Sequence, residues 1–191
     1  DEYEVSSNGK EVVFVHRGEV FVSSIAEGTT RRITNTPEQE RNVSFSPDGR
    51  TILYASERNG SWDLYTTSLA RKEEKYFFNA TVLKEEALLA TPAEEFQCAY
   101  SPDGKEVAYL EERTTLKVLN LATKQTRTVM PGNKNYSYAD GDQWYEWSPD
   151  SKWFVVNFLN DDQWIGQVGL VKATGTDPII NLIRSGYGGY V

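Results

Sequence analysis

Residues 36–49 read TPEQERNVSFSPDG, and residues 91–104 read TPAEEFQCAYSPDG. The two stretches share the Thr-Pro pair, one Glu and the whole Ser-Pro-Asp-Gly tetrapeptide. A third copy, Ser148-Pro149-Asp150-Ser151, follows DQWYEW, and a degenerate copy, Ser6-Ser7-Asn8-Gly9, lies near the start of the chain. The copies are about 40 to 55 residues apart, which is a period typical of tandem structural repeats.

Each copy predicts a tight turn between two strands, because Pro presets φ, Asp bonds the backbone and Gly accepts a positive φ. Four strands per repeat follow from runs of Val, Ile, Leu, Tyr and Phe separated by polar turns. The sequence therefore predicts an all-β fold of four four-stranded antiparallel blades of a β-propeller. The approximate blade bounds are 1–35, 36–90, 91–135 and 136–184.

Residues 185–191 align with the start of a further blade. Because a propeller closes into a ring that hides the edges of its sheets, we expect this chain to form an incomplete, open arc of a larger propeller. The alternative is a complete four-bladed ring. A homodimer through the open blade edges would also close such an arc. The insertion at 70–86 is compatible with a short helix or an extended hairpin arm.

Charge excludes two classes of partner. The chain has 28 Asp and Glu against 20 Lys and Arg, a formal net charge of −8. Nucleic acid and anionic membrane surfaces repel such a chain, so we expect neither as a general partner. No apolar run is long enough for membrane insertion as a helix. The single cysteine, Cys98, excludes an intrachain disulfide.

The turn and the strands around it resemble a known repeat. Residues 45–69, FSPDGRTILYASERNGSWDLYTTSL, are similar to the Pro-Asp propeller repeat of the Tricorn protease family and of the periplasmic propeller protein of the Tol system. The resemblance implies a bacterial periplasm or cell envelope as the location. A Tricorn-like parent would carry a PDZ domain and a tail-specific serine-protease domain downstream. Dipeptidyl-peptidase propellers have a similar turn and are a third class of parent.

The residues offer little for chemistry. A G-x-S-x-G nucleophile elbow is absent, the single histidine, His16, adjoins a turn, and Cys98 has no histidine nearby in sequence. The acidic turns 140–142 and 160–162 lack the alternating acids of a calcium loop. We therefore predict no catalytic residue, no cofactor and no metal site, and we expect that this chain is not by itself an enzyme.

The remaining candidate is a binding surface. In a propeller, the loops between blades and the turns between the second and third strands share one face, and here they combine acids and arginines with aromatic residues. The candidate residues for a peptide- or protein-binding face are Arg17, Glu38, Glu40, Arg58, Glu94, Glu95, Arg113, Tyr136, Tyr138, Asp140, Asp142, Trp144, Asp161, Asp162 and Trp164.

These observations lead to two functional hypotheses. The first is a non-catalytic module that binds a peptide or protein, or gates substrate access, in a Tricorn-like envelope protease. Its ligand would be a peptide, a protein or the remaining domains of the parent chain. The alternative is a periplasmic scaffold propeller of the Tol type that binds another envelope protein.

Overall fold

The computed structural model describes residues 2–135, 143–159, 166–175 and 177–184. The chain divides into two compact units, Asp1–Tyr100 (unit 1) and Ser101–Val191 (unit 2). In the described residues the secondary structure consists of strands and one 3₁₀ turn, Gly132–Lys134.

The strands form four sheets of four, and each sheet is built from strands that are consecutive in sequence. The first contains β1 (Tyr3–Val5), β2 (Glu11–His16), β3 (Glu19–Ser24) and β4 (Thr30–Arg32). The second contains β5 (Glu40–Phe45), β6 (Thr51–Ser56), β7 (Asp63–Leu69) and β8 (Leu83–Leu89). The third contains β9 (Glu95–Tyr100), β10 (Glu106–Glu111), β11 (Thr115–Asn120) and β12 (Thr126–Met130). The fourth contains β13 (Tyr145–Trp147), β14 (Trp153–Leu159), β15 (Gly166–Lys172) and β16 (Ile180–Arg184).

The prediction of four four-stranded antiparallel sheets is confirmed. Some strand bounds differ from the sequence prediction. The strands β5 and β9 begin at Glu40 and Glu95, so these two residues do not lie in the loops that the sequence predicts for them. The insertion forms no helix: β8 already begins at Leu83, and residues 70–82 form an irregular connection between β7 and β8.

The tetrapeptide turn is held by the same hydrogen bonds in each repeat. In the second repeat, the Ser46 hydroxyl donates to Asp48 Oδ1 at 2.6 Å, and the backbone N–H of Arg50 donates to the same oxygen at 3.0 Å. The N–H of Thr51 donates to Ser46 Oγ at 2.9 Å. Matching bonds join Ser101 to Asp103 and Ser148 to Asp150. In the first repeat Asn8 Oδ1 accepts the equivalent bonds from Ser6 and Lys10, so the side chain at this position recurs because it stabilises the turn.

The core of unit 1 lies between the first and second sheets. Val13, Val20 and Val22 face Phe45, Ile52 and Tyr54 there, and all six are buried. Phe77, from the connection between β7 and β8, is 0% exposed and belongs to the same cluster. The insertion therefore contributes to the core.

A second repeated feature of unit 1 joins the start of one sheet to the first strand of the next. Glu2, Asn42 and Gln97 each lie four positions before the first Ser of their repeat. A Glu2 carboxylate oxygen accepts from the N–H of Asn42, and Asn42 Oδ1 accepts from the N–H of Gln97 at 2.9 Å. Asn42 and Gln97 both have a positive φ, 58° and 52°. The unusual backbone at these two positions points each N–H at the preceding strand.

Candidate functional site

Turns and linkers alternate along one edge of unit 1. The Arg17–Gly18 turn contacts the linker before β5, because Gly18 O accepts from the N–H of Glu40 at 2.7 Å. The same linker contacts the next turn, since Gln39 O accepts from the N–H of Glu57 at 3.0 Å. Backbone hydrogen bonds therefore set the spacing of these loops.

The alternation continues along the same edge. The Ser61 hydroxyl donates to Ala93 O at 3.1 Å, and Trp62 O accepts from the N–H of Glu95 at 2.6 Å. We call this row of turns and linkers the linker edge. Four of the candidate residues lie on it: Arg17, Glu38, Arg58 and Glu94.

Arg58 is the most constrained of these four. Its guanidinium lies over the Tyr65 ring, 4.5 Å from the centroid, and forms ion pairs with Glu85 and with Glu40 at 3.4 Å. The Tyr54 hydroxyl donates to Glu85 at 2.7 Å, and burial raises the pKa of this phenol. The Arg58 side chain is therefore held in one position by these contacts.

Glu40 and Glu95 lie below the surface of the linker edge. Both are 0% exposed. Glu40 Oε1 accepts from the hydroxyls of Thr36 at 2.8 Å and Ser56 at 2.9 Å, and Glu95 accepts from the hydroxyl of Thr91. Each carboxylate thus joins the start of its own strand to the linker before it by hydrogen bonds. These two residues stabilise the linker edge from below and are not available to contact a partner.

In unit 2, the turn that carries Arg113 contacts the linker after β12, because Asn135 Nδ2 donates to Thr114 O at 3.1 Å. Trp144, just before β13, is 45% exposed. Seven further candidates lie outside the described residues: Tyr136, Tyr138, Asp140, Asp142, Asp161, Asp162 and Trp164.

A groove opens in unit 2 between the third and fourth sheets. Its volume is about 780 Å³, and its lining residues are Glu106, Arg127, Ser151, Lys152, Trp153, Lys172 and Thr174. Lys172 Nζ lies 5.5 Å from the centroid of the Trp153 ring. We call this the cationic groove. Sequence analysis missed it, although a basic residue follows the turn in every repeat (Lys10, Arg50, Lys105 and Lys152).

The structure also shows the surroundings of Cys98 and His16, the two residues considered from the sequence as a nucleophile and a base. Cys98 is buried, its thiol donates weakly to Asn42 O at 3.4 Å, and burial raises its pKa, so the reactive thiolate is disfavoured. The His16 ring lies edge-on to Phe21, with 6.3 Å between the ring centroids.

Within the described ranges, no three His, Cys, Asp or Glu side chains are grouped to hold a metal ion. In the same part of the chain, no helix has the length and apolar character to cross a membrane.

The fold is that of a β-propeller. Over 98% of its length the chain is similar to the crystal structure of TolB from Acinetobacter baumannii, with a TM-score of 0.67, 15% identity and 44% of that chain covered. It is also similar to the tricorn protease over 95% of its length, with a TM-score of 0.69, 13% identity and 16% of that chain covered. The predicted blade architecture is confirmed by both likenesses.

In sequence, the chain is 36% identical over 52 residues to the Tol-Pal system protein TolB of Bordetella pertussis. That match covers 27% of this chain and 12% of the relative, so the chain spans a small part of the curated protein that it matches. No family model matches the chain. The resemblance to Tol-type propellers thus has support from both sequence and fold, whereas the likeness to the tricorn protease is one of fold.

Proposed function

We propose that this chain is part of a Tol-type β-propeller that binds another protein of the bacterial cell envelope, in the periplasm and without catalysis. The observation that carries the proposal is the sequence match to TolB proteins within a propeller fold. It favours the Tol-type alternative over substrate gating in a Tricorn-like protease, because the matched curated sequences are Tol-Pal system proteins.

The linker edge of unit 1 supplies a surface of the right chemistry. Arg17 is exposed and Glu38 is half-buried, so charges of both signs face outward. Arg58 adds a cation that is already ordered by Tyr65 and two carboxylates. A partner that binds there has little side-chain entropy to remove at Arg58, which favours affinity.

A capture experiment tests the proposal. The tagged chain is incubated with a periplasmic and envelope extract of a Gram-negative bacterium, and the bound proteins are identified by mass spectrometry. The same capture is repeated with the double variant Arg17→Glu/Glu38→Lys. We expect one envelope protein in near-stoichiometric amount with the wild-type chain, reduced about tenfold or more by the charge reversal.

The matched control is Lys10→Glu, which reverses an exposed charge at the opposite end of β2 from Arg17. It should leave capture unchanged. Absence of any envelope protein, or equal capture by the wild-type chain and the double variant, would show that the linker edge does not bind such a partner.

A further inference from the structure

The groove between the first and second sheets of unit 1 is filled by the chain itself. Phe77 is fully buried in it, with its ring centroid 6.1 Å from that of Phe45. Two side chains of the first sheet hold the backbone on either side of this ring. Glu11 Oε1 accepts from the N–H of Phe78 at 3.0 Å, and Arg31 donates to the carbonyl oxygens of Phe77 and Ala80.

A third side chain, from the turn of the second sheet, holds the earlier part of the same segment. Arg50 follows Gly49, and its guanidinium donates to Glu74 O and to Arg71 O, both at 2.8 Å. One carboxylate and two cations therefore bind main-chain groups of residues 71–80, while an aromatic ring enters the space between the sheets. The two sheets therefore bind a segment of their own chain as they would bind a peptide, through three charged side chains and one buried aromatic ring.

The cationic groove of unit 2 carries the same three charges at the same repeat positions: a Glu, an Arg and, in place of Arg50, the Lys152 ammonium. In the first sheet, Val13 pairs with Val22 and Val22 with Arg31. In the third sheet, Ala108 pairs with Val118 and Val118 with Arg127, so Arg127 occupies the position of Arg31. Glu106 is the second residue after its tetrapeptide, as Glu11 is in the first repeat. Lys152 is the first residue after the fourth tetrapeptide, as Arg50 is after the second.

The two grooves differ in what lies inside. The connection between β15 and β16 is shorter than residues 70–82, and its described part supplies only one of the carbonyls: Ala173 O accepts from Arg127 Nε at 2.7 Å. Arg127 also forms two hydrogen bonds with Glu106, at 2.6 and 2.7 Å. Residues 173–179 read ATGTDPI, so this connection has no aromatic side chain comparable to Phe77. In the described residues the groove is open beside Trp153.

We propose that the cationic groove binds, in trans, a short segment of another protein that carries an aromatic side chain and flanking carboxylates. The aromatic ring would stack at Trp153, the main-chain carbonyls would accept from Arg127, and the carboxylates would pair with Lys152. Lys172 already forms an ion pair with Asp177 at 2.9 Å, so Lys152 is the cation assigned to the ligand. Residues 71–80 of a second copy are an unsuitable source, because Phe77 is buried in its own chain. The inference deepens the proposed function by naming a second surface and its ligand.

The probe is a fluorescein-labelled peptide of residues 71–80, RKEEKYFFNA, titrated with the intact chain and followed by fluorescence anisotropy. We expect saturable binding that weakens about tenfold or more when Phe77 of the peptide is replaced by Ala, because a single aromatic anchor often dominates such contacts. Lys152→Glu in the protein should weaken binding to a similar extent. Lys152 is exposed, so this substitution leaves folding intact.

The matched control is Lys10→Glu, at the same repeat position in the first sheet, which should bind the peptide as the wild type does. Lack of saturable binding would overturn the inference. Binding that Lys152→Glu leaves unchanged would also overturn it, since the peptide would then bind elsewhere. The anisotropy reports on the groove and the envelope capture with Arg17→Glu/Glu38→Lys reports on the linker edge, so one proposal can fail while the other stands.

Discussion

Truncating Phe77 tests whether the insertion is part of the core of unit 1. The Phe77 side chain is 0% exposed and packs among the valines of the first sheet and Phe45 of the second. Replacing a fully buried Phe by Ala costs about 3–5 kcal/mol, through lost transfer free energy and the cavity left behind. Because folded domains are stable by only about 5–15 kcal/mol, Phe77→Ala should remove a large share of the stability of unit 1.

The thiol of Cys98 provides the assay. It is the only cysteine in the chain, lies in unit 1 and is buried, so its labelling by a thiol reagent in increasing urea reports the unfolding of this unit. The control is Phe78→Ala, since Phe78 is half-buried and stacks on Tyr76 at 5.5 Å. We expect a loss of about 1 kcal/mol for the control. Equal losses in the two variants, or a loss below about 1 kcal/mol for Phe77→Ala, would refute the packing argument.

Two further predictions concern charge and backbone. Burial raises the pKa of Glu19, but hydrogen bonds from Arg32 and Thr34 outweigh it, so the net pKa lies below the ordinary value of 4.5. A carboxyl with a lowered pKa stabilises the fold above its unfolded pKa and loses that contribution as the pH falls through its folded value. Urea titrations at several acid pH values should therefore give a free energy of unfolding that is higher for the wild type than for Glu19→Gln. This difference should be complete above about pH 4.5 and should shrink as the pH falls below it, and a difference that stays constant would contradict the reasoning. Gly175 has φ +73°, and an added Cβ would lie 2.2 Å from Thr128 O, whereas Gly28 has φ +68° and open space around it. In thermal unfolding, Gly28→Ala should cost about 1–2 kcal/mol and Gly175→Ala about 1–3 kcal/mol more, because only the second also forces a backbone to shift; equal costs would show that the contact with Thr128 is relieved without strain.

The repeat and its strands were predictable because they depend on short-range physics. Ser46, Asp48 and Gly49 form a turn through hydrogen bonds that span at most five residues, and the apolar strands on either side follow the same local rule. The same bonds recur wherever the tetrapeptide recurs, so periodicity in sequence became periodicity in structure.

Parts of the candidate site could not be predicted for the opposite reason. Glu40 and Glu95 look like exposed loop acids in sequence, yet the structure buries both. Thr36 and Thr91 lie only four residues before them, but the second hydroxyl on Glu40 belongs to Ser56, which only the pairing of β5 with β6 brings close. Arg58 owes its fixed position to Glu85, on a strand from the far side of its own sheet. Such contacts depend on register and packing, which residue type alone does not specify.

The sequence by itself determined the all-β class, the four repeats, the chemistry of each turn and the negative charge of the chain. The tertiary structure decided what fills the groove between the first and second sheets and what lines the groove between the third and fourth. Glu11 is equivalent in sequence to Glu106, and Arg31 to Arg127. Glu11 and Arg31 bind the chain's own Phe77 segment, whereas Glu106 and Arg127 line a groove that is open in the described residues. The physical reason is that a groove exists only after two sheets have packed, and its content depends on whether a distant loop is long enough to reach it.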